Sequence, residues 1–258
     1  MTRAFVVCLA LIAGTASAQT PTPTPAFEVA TVKPVDVGPK AGRLLRMEND
    51  HRFIATNFTL KLLIAAAYDL NPRTINGGPG WVDADKFTIE ALTPGETRPD
   101  HDQQMLMLRT LLHDRFHLQF HRIPKVFSIY EITVAKGGVL FHSAGAPDRD
   151  PMVTSVVYPD HLEMPARNAS MDDLARVMQR AILDRPVVDK TGLTGRYDFD
   201  LEWAPDETQF GGAIPTPQDS KSPPLLVAMR EQLGLEMKAT RGPIQTLVID
   251  KAEKPETN

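Results

Sequence analysis

Apolar residues change period several times along the chain, and the changes mark its elements. Residues 27–32 alternate apolar and polar up to Pro34, the pattern of a strand. Residues 44–47 and 51–55 read as two arms of a hairpin turning at Glu48-Asn49-Asp50. Leu60, Leu63, Ile64, Ala67 and Tyr68 then recur at helical spacing behind Thr59, a capping residue, and Asn71-Pro72 ends that helix. A short strand opens at Ile75, residues 77–81 form a Gly-rich loop, and residues 86–92 alternate as a strand. A helix starting at Asp100 or Asp102 carries Met105, Leu108, Leu111 and Leu112 and stops near Asp114. Two further strands, 116–121 and 126–134, lead into the turn Lys136-Gly137-Gly138.

The second half follows the same order. Residues 153–158 and 161–166 make a hairpin around Pro159-Asp160. Ser170 caps a helix with Asp173 three residues on, as in a capping box, and Leu174, Val177, Met178 and Ile182 form its apolar stripe. Strands follow at 186–188 and 197–203, and residues 204–224 are Pro-, Gly- and Ser-rich, which predicts a long mobile loop. A helix over 225–233 stops at Gly234, strands follow at 235–239 and 244–250, and residues 251–258 read as a charged tail. Arg73, Gly80, Phe87 and Glu90 match Arg185, Gly192, Phe199 and Glu202 without a gap. The expectation is an α+β fold made of two copies, 27–140 and 141–258, of a strand–helix–strand–strand–helix–strand–strand unit in small antiparallel or mixed sheets.

Composition adds location. The chain has 258 residues, 42% hydrophobic and 23% charged, an ordinary globular balance. Arg3, the apolar run 4–13 and Ala16-Ser17-Ala18 have the form of a secretory signal peptide over residues 1–18, with cleavage after Ala18. Residues 19–26 are a Pro/Thr tether. The single cysteine, Cys8, lies in the leader, so the mature chain is expected to have no thiol chemistry and a periplasmic or secreted location. Losing Arg3 makes the mature chain one unit more negative than the full chain's −4. That disfavours nucleic acid and anionic lipid as partners, and no later segment is apolar enough for stable membrane insertion.

Several stretches are familiar as motifs: Phe27-Glu28-Val29-Ala30-Thr31-Val32-Lys33-Pro34, Asn57-Phe58-Thr59-Leu60, Gly77-Gly78-Pro79-Gly80-Trp81, the run from Val187 to Asp198, and Val248-Ile249-Asp250-Lys251-Ala252-Glu253-Lys254-Pro255. They resemble a large family of uncharacterised exported proteins expanded in soil bacteria, whose modules also occur fused to membrane metallopeptidases of the β-lactam-sensor type. The resemblance implies no established activity and so no catalytic residues. In element order and apolar spacing, each unit is also similar to the short N-terminal signalling domain of secretins and TonB-dependent transporters.

Candidate chemistry is sparse. His113, His117 and His121 have the spacing of ligands on one helix face, but Phe116, Leu118 and Phe120 alternate like a strand, which makes the imidazoles diverge. Gly77-Gly78-Pro79-Gly80 lacks the Lys-Ser/Thr of a phosphate loop and reads as a tight turn on which Trp81 packs. Asp83, Asp85, Glu90, Asp189, Asp198, Asp200 and Glu202 offer carboxylates; Glu90 and Glu202 occupy matching strand positions, which favours a structural role. No serine sits in a hydrolase motif. Two readings remain. The first is a non-catalytic envelope module, without cofactor, metal or catalytic residue, that binds a protein or peptide by strand addition; its candidate surface is Gly77, Gly78, Gly80, Trp81, Asp83 and Arg196. The second is a periplasmic hydrolase using carboxylates or histidines in the cleft between the two units.

Overall fold

The computed structural model describes residues 24–36, 38, 42–146 and 149–256; the leader, Cys8 and the start of the tether lie outside them. In the first half, strands β1 (Val29–Val35), β2 (Leu44–Met47) and β3 (Arg52–Thr59) lead into α1 (Leu60–Ala67). They are followed by β4 (Ile75–Gly77), α2 (Trp81–Ala84), β5 (Lys86–Leu92), α3 (His101–Phe116) and β6 (Gln119–Val134). The second half runs through β7 (His142–Ser143), β8 (Met152–Val153), β9 (Val156–Val157), β10 (Leu162–Ala169) and α4 (Met171–Val177). It ends with β11 (Val187–Asp189), β12 (Tyr197–Trp203), α5 (Leu225–Leu233) and β13 (Leu235–Lys251). The fold is α+β, with three sheets among the described residues.

Local chemistry sets the helix starts. Thr59 Oγ1 accepts from the Leu62 N–H, and full capping boxes join Asp100 to Gln103 and Ser170 to Asp173. Helix α3 ends at Phe116, two residues beyond the expected stop, because His117 takes the left-handed conformation that closes it, as Gly234 does for α5. The stretch from Asn168 to Arg185 is one residue longer than that from Asn57 to Arg73, and α4 runs on into a π turn, Met178–Ile182, which takes up an extra residue.

One antiparallel sheet has the order β1-β5-β3-β2, and the other is built on β12-β10 with the two-residue strands at its edges. In both, alternate residues face a helix layer. Phe53, Ala55, Phe87 and Ile89 meet Leu63, Leu108 and Leu112 in one cluster, while Met164, Phe199, Leu201 and Trp203 meet Leu174, Met229 and Leu233 in the other.

The third sheet joins the two layers and departs most from expectation. The four strands expected at 116–121, 126–134, 235–239 and 244–250 are two: β6 and β13 pair antiparallel from Leu235↔Val134 to Lys251↔Gln119. Pro124 and the Gly242-Pro243 pair, which looked like breaks, lie inside the ladder. There each strand has a single neighbour, so a proline leaves the other ladder intact. A Cβ on Gly242 would stand 2.7 Å from Ile129 Cδ1, so a side chain there would collide. Short β4 runs parallel beside β13, and short β11 parallel beside β6, so each lies against the long strand of the opposite half. Leu247 and Ile249 of β13 thus enter the first cluster, and Ile132 of β6 enters the second.

Other expectations are refined. The 77–81 loop is followed by a helical turn, α2, and the expected strand 153–158 is split into β8 and β9. Residues 204–224 are pinned by Trp203, whose Nε1 donates to buried Gln209 Oε1 at 2.7 Å, and contain a 3-10 turn, Gln209–Gly212. The tail is docked: the Glu253 N–H donates to Phe116 O at 2.7 Å, and Lys254 pairs with Asp85 at 2.6 Å.

Because the first cluster needs β13, residues 27–140 expressed alone lose both their longest ladder and Leu247 and Ile249. The expected outcome is a chain without near-ultraviolet circular dichroism or amide dispersion. A dispersed, cooperative spectrum from this fragment contradicts the shared-strand architecture.

Candidate functional site

The surface singled out from sequence divides. Gly77 and Gly78 have φ near +79° and +77°, and a Cβ on Gly77 would lie 2.7 Å from the backbone oxygen of Ile249. They are glycine because β4 must approach β13 closely there. Gly80 has open space around it and ordinary helical angles. Trp81 stacks on Phe116 at 6.4 Å and meets Phe87 edge-on at 6.2 Å, while Lys254 Nζ lies 6.0 Å above its ring. Asp83 is paired with Lys61 at 3.1 Å. Arg196 belongs with the second cluster, where Nη1 donates to Asn168 O at 2.8 Å and lies 3.5 Å from Asp173 Oδ2. The structure thus keeps the first five residues together and puts Arg196 on a different support.

The three histidines diverge, each toward its own carboxylate: His113 to Asp114, His117 to Glu253 and His121 to Asp250.

Between the halves lies a crevice of about 290 Å³ lined by Arg73, Phe127, Ser128, Asp184, Arg185 and Pro186. Its rim is a polar seam. Asn71 Nδ2 donates to Gln179 O at 2.7 Å, Gln179 Nε2 donates to Asp69 O at 2.8 Å, and Asp184 holds both Arg73 (3.3 Å) and Arg185 (2.8 Å). Arg185 also lies over the Tyr130 ring, 4.9 Å from its centroid. The hydrogen bond from Arg185, then the charges of Arg185 and Arg73, hold the Asp184 carboxyl below the usual carboxylate range.

A third group was not visible in the sequence. Cross-strand register sets Glu163 of β10 directly opposite Glu202 of β12. His161, two residues before Glu163, brings Nε2 to 3.5 Å from Glu163 Oε1. Donor atoms of His161, Glu163 and Glu202 all lie within 4.8 Å of one another. Among the described residues this is the group of three His, Cys, Asp or Glu side chains whose donor atoms come close enough together that they could hold a metal ion. His161 and Glu163 belong to one hairpin and are legible as an i, i+2 pair; Glu202 joins them only through the pairing of β10 with β12.

Two outcomes follow. Gly77→Ala is expected to destabilise the fold by about 2 kcal/mol or more through its positive φ and the Ile249 contact, whereas Gly80→Ala stays within about 0.5 kcal/mol, both read by denaturant unfolding. Asp184 has a lowered folded pKa, so its stabilisation is present above the ordinary carboxylate pKa of about 4 and is lost as pH falls through the folded value. Asp184→Asn should therefore cost roughly 1 kcal/mol at neutral pH and progressively less below pH ~4. A deficit that persists undiminished in acid contradicts this assignment.

No curated protein and no solved structure matches the chain. A family model described as "Protein of unknown function (DUF3738)" matches residues 61–252, and the chain belongs to that family.

Proposed function

We propose that this protein is an exported, non-catalytic binding module that takes an extended segment of an envelope protein by strand addition along the outer edge formed by the two short strands β8 and β9. One observation carries the reading. β8 and β9 form the edge of their sheet, and among the described residues no strand pairs with their outer side. Met152, Val156, Val157 and Tyr158 are each at least 40% exposed along it. Native sheet edges are commonly blunted by Lys, Arg or Pro. The other long edges here carry such residues: Lys33-Pro34 in β1, Arg46 in β2, Pro124-Lys125 in β6, and Lys238, Arg241 and Pro243 in β13. Residues 152–157 carry none. An apolar edge without Lys, Arg or Pro between Pro151 and Pro159 offers main-chain hydrogen bonds for affinity and side-chain contacts for selectivity.

Export rests on the leader, and the duplication of the unit is part of the same reading. In its support, Asn57 and Asn168 both take positive φ at irregularities in matching strands, and each donates from Nδ2 to a backbone carbonyl, of Gly42 and Arg149. The hydrolase reading would need a carboxyl or imidazole poised near neutrality in the crevice between the halves. The acid lining that crevice is Asp184, and its arginines push it the wrong way for a general acid.

A photo-crosslinking residue in place of Val157, in cells that export the protein, is expected to yield a discrete adduct with an envelope protein, on a chain beginning at Gln19. The double variant Val156→Lys, Val157→Lys should leave the melting temperature unchanged, since both side chains are exposed, and cut adduct yield at least about tenfold, the equivalent of about 1.4 kcal/mol. An equal adduct from a crosslinker at Val29 on guarded β1, or a yield that survives both lysines, sinks the assignment.

A further inference from the structure

Glu163 and Glu202 stand directly opposite one another on neighbouring antiparallel strands. Like charges in that relation repel. The first sheet has no such pair: Glu90, the residue matching Glu202, stands opposite Ile54 and is met diagonally by Arg52 at 2.7 Å. In the second sheet the facing position holds another acid, and the His161 imidazole lies within 4.8 Å of both carboxylates.

The imidazole is held on both sides. Its Nδ1 is bonded to Asp160 Oδ1 at 2.8 Å, and the Tyr158 ring stacks on it at 4.6 Å and 7°, which fixes the ring plane. Its other nitrogen, Nε2, is thereby turned toward the two glutamates. Glu202 is oriented in turn by the Ser222 hydroxyl, which donates to Oε1 at 2.6 Å. A carboxylate behind a histidine, with the far nitrogen aimed at further donors, is the outer-shell arrangement that metal sites use to fix tautomer and ring direction.

We propose that His161 Nε2, Glu163 and Glu202 bind one divalent first-row transition cation of the Zn²⁺ type. The donor set decides the class. Magnesium and calcium take oxygen ligands, while a set of one imidazole and two carboxylates suits Zn²⁺ and its neighbours. Two carboxylates cancel the charge of the ion, which removes the repulsion that the register imposes. Tetrahedral ligands at about 2.0–2.1 Å stand about 3.3 Å apart. The His161–Glu163 pair is already at 3.5 Å, and exposed Glu202 supplies the remaining movement by side-chain rotation. Three protein ligands leave a fourth position open to water or to a donor from outside the chain. The site borders the outer edge formed by β8 and β9 but does not depend on any partner there.

The competing arrangement is an imidazolium that neutralises the glutamates by itself, and direct metal binding separates the two. The chelator-stripped protein is titrated with Zn²⁺ by calorimetry and equilibrium dialysis with elemental analysis, with excess Mg²⁺ present. The expected result is one Zn²⁺ per chain and a rise in melting temperature. Affinity should drop at least about tenfold in His161→Ala and in the near-isosteric Glu202→Gln, and by a comparable factor in Asp160→Asn. His117→Ala should bind as the unaltered chain does. Absence of stoichiometric Zn²⁺ overturns the proposal, as does stoichiometric binding that survives both His161→Ala and Glu202→Gln.

Discussion

The antiparallel pairing of β6 with β13 is the constraint on which the rest of the molecule depends. Each strand is about 50 Å long at about 3.4 Å per residue, longer than one layer of helices can cover. The ribbon therefore has two ends to bury and a middle to expose. One end enters the first apolar cluster through Leu118, Leu247 and Ile249, the other enters the second through Ile132, Leu235 and Met237. In the middle, Ile123, Phe127 and Ile244 are only half-buried and the crevice opens beside them. The short strands β4 and β11 cross to the opposite half's long strand, so neither cluster is completed by a contiguous piece of chain. Gly77 follows from the same geometry, since its backbone must pass against Ile249.

Much of this was legible because local chemistry and the global fold agree. β5, β12 and α5 occupy the ranges their apolar periods mark, and Thr59, Asp100, Ser170 and Gly234 cap the helices they were expected to cap. The failures share a cause. Pro124 and Gly242-Pro243 are turn signals wherever a strand has two neighbours, and nothing in a linear pattern says that β6 and β13 have one there. The α2 turn is four residues long inside a Gly-rich run, too short to show a helical period. The charged tail looked solvated because its partners, Phe116 O and Asp85, lie far away in sequence.

The polar residues divide by the same logic. Those of the candidate surface that look functional in a line of text, Gly77, Gly78 and Trp81, are occupied with close approach and aromatic packing. Asp184 is spent on holding Arg73 and Arg185 across the seam, which ties the halves together at the crevice. The outer edge formed by β8 and β9 has neither task. Its apolar side chains are exposed and its outer backbone has no neighbour among the described residues.

Glu90 and Glu202 show why matching positions need not do matching work. The sequence pairs them, and a duplicated position first suggests a scaffold role. Their surroundings separate them. Glu90 closes an ordinary surface ion pair with Arg52, worth little and replaceable. Glu202 faces Glu163 at a register that penalises two acids, with His161 held beside them by Asp160 and Tyr158. The first sheet avoids the conflict, since Ile54 faces Glu90 and Arg52 reaches it from two residues away. Keeping two carboxylates and orienting an imidazole toward them costs stability in the bare chain, and a bound cation converts that cost into affinity.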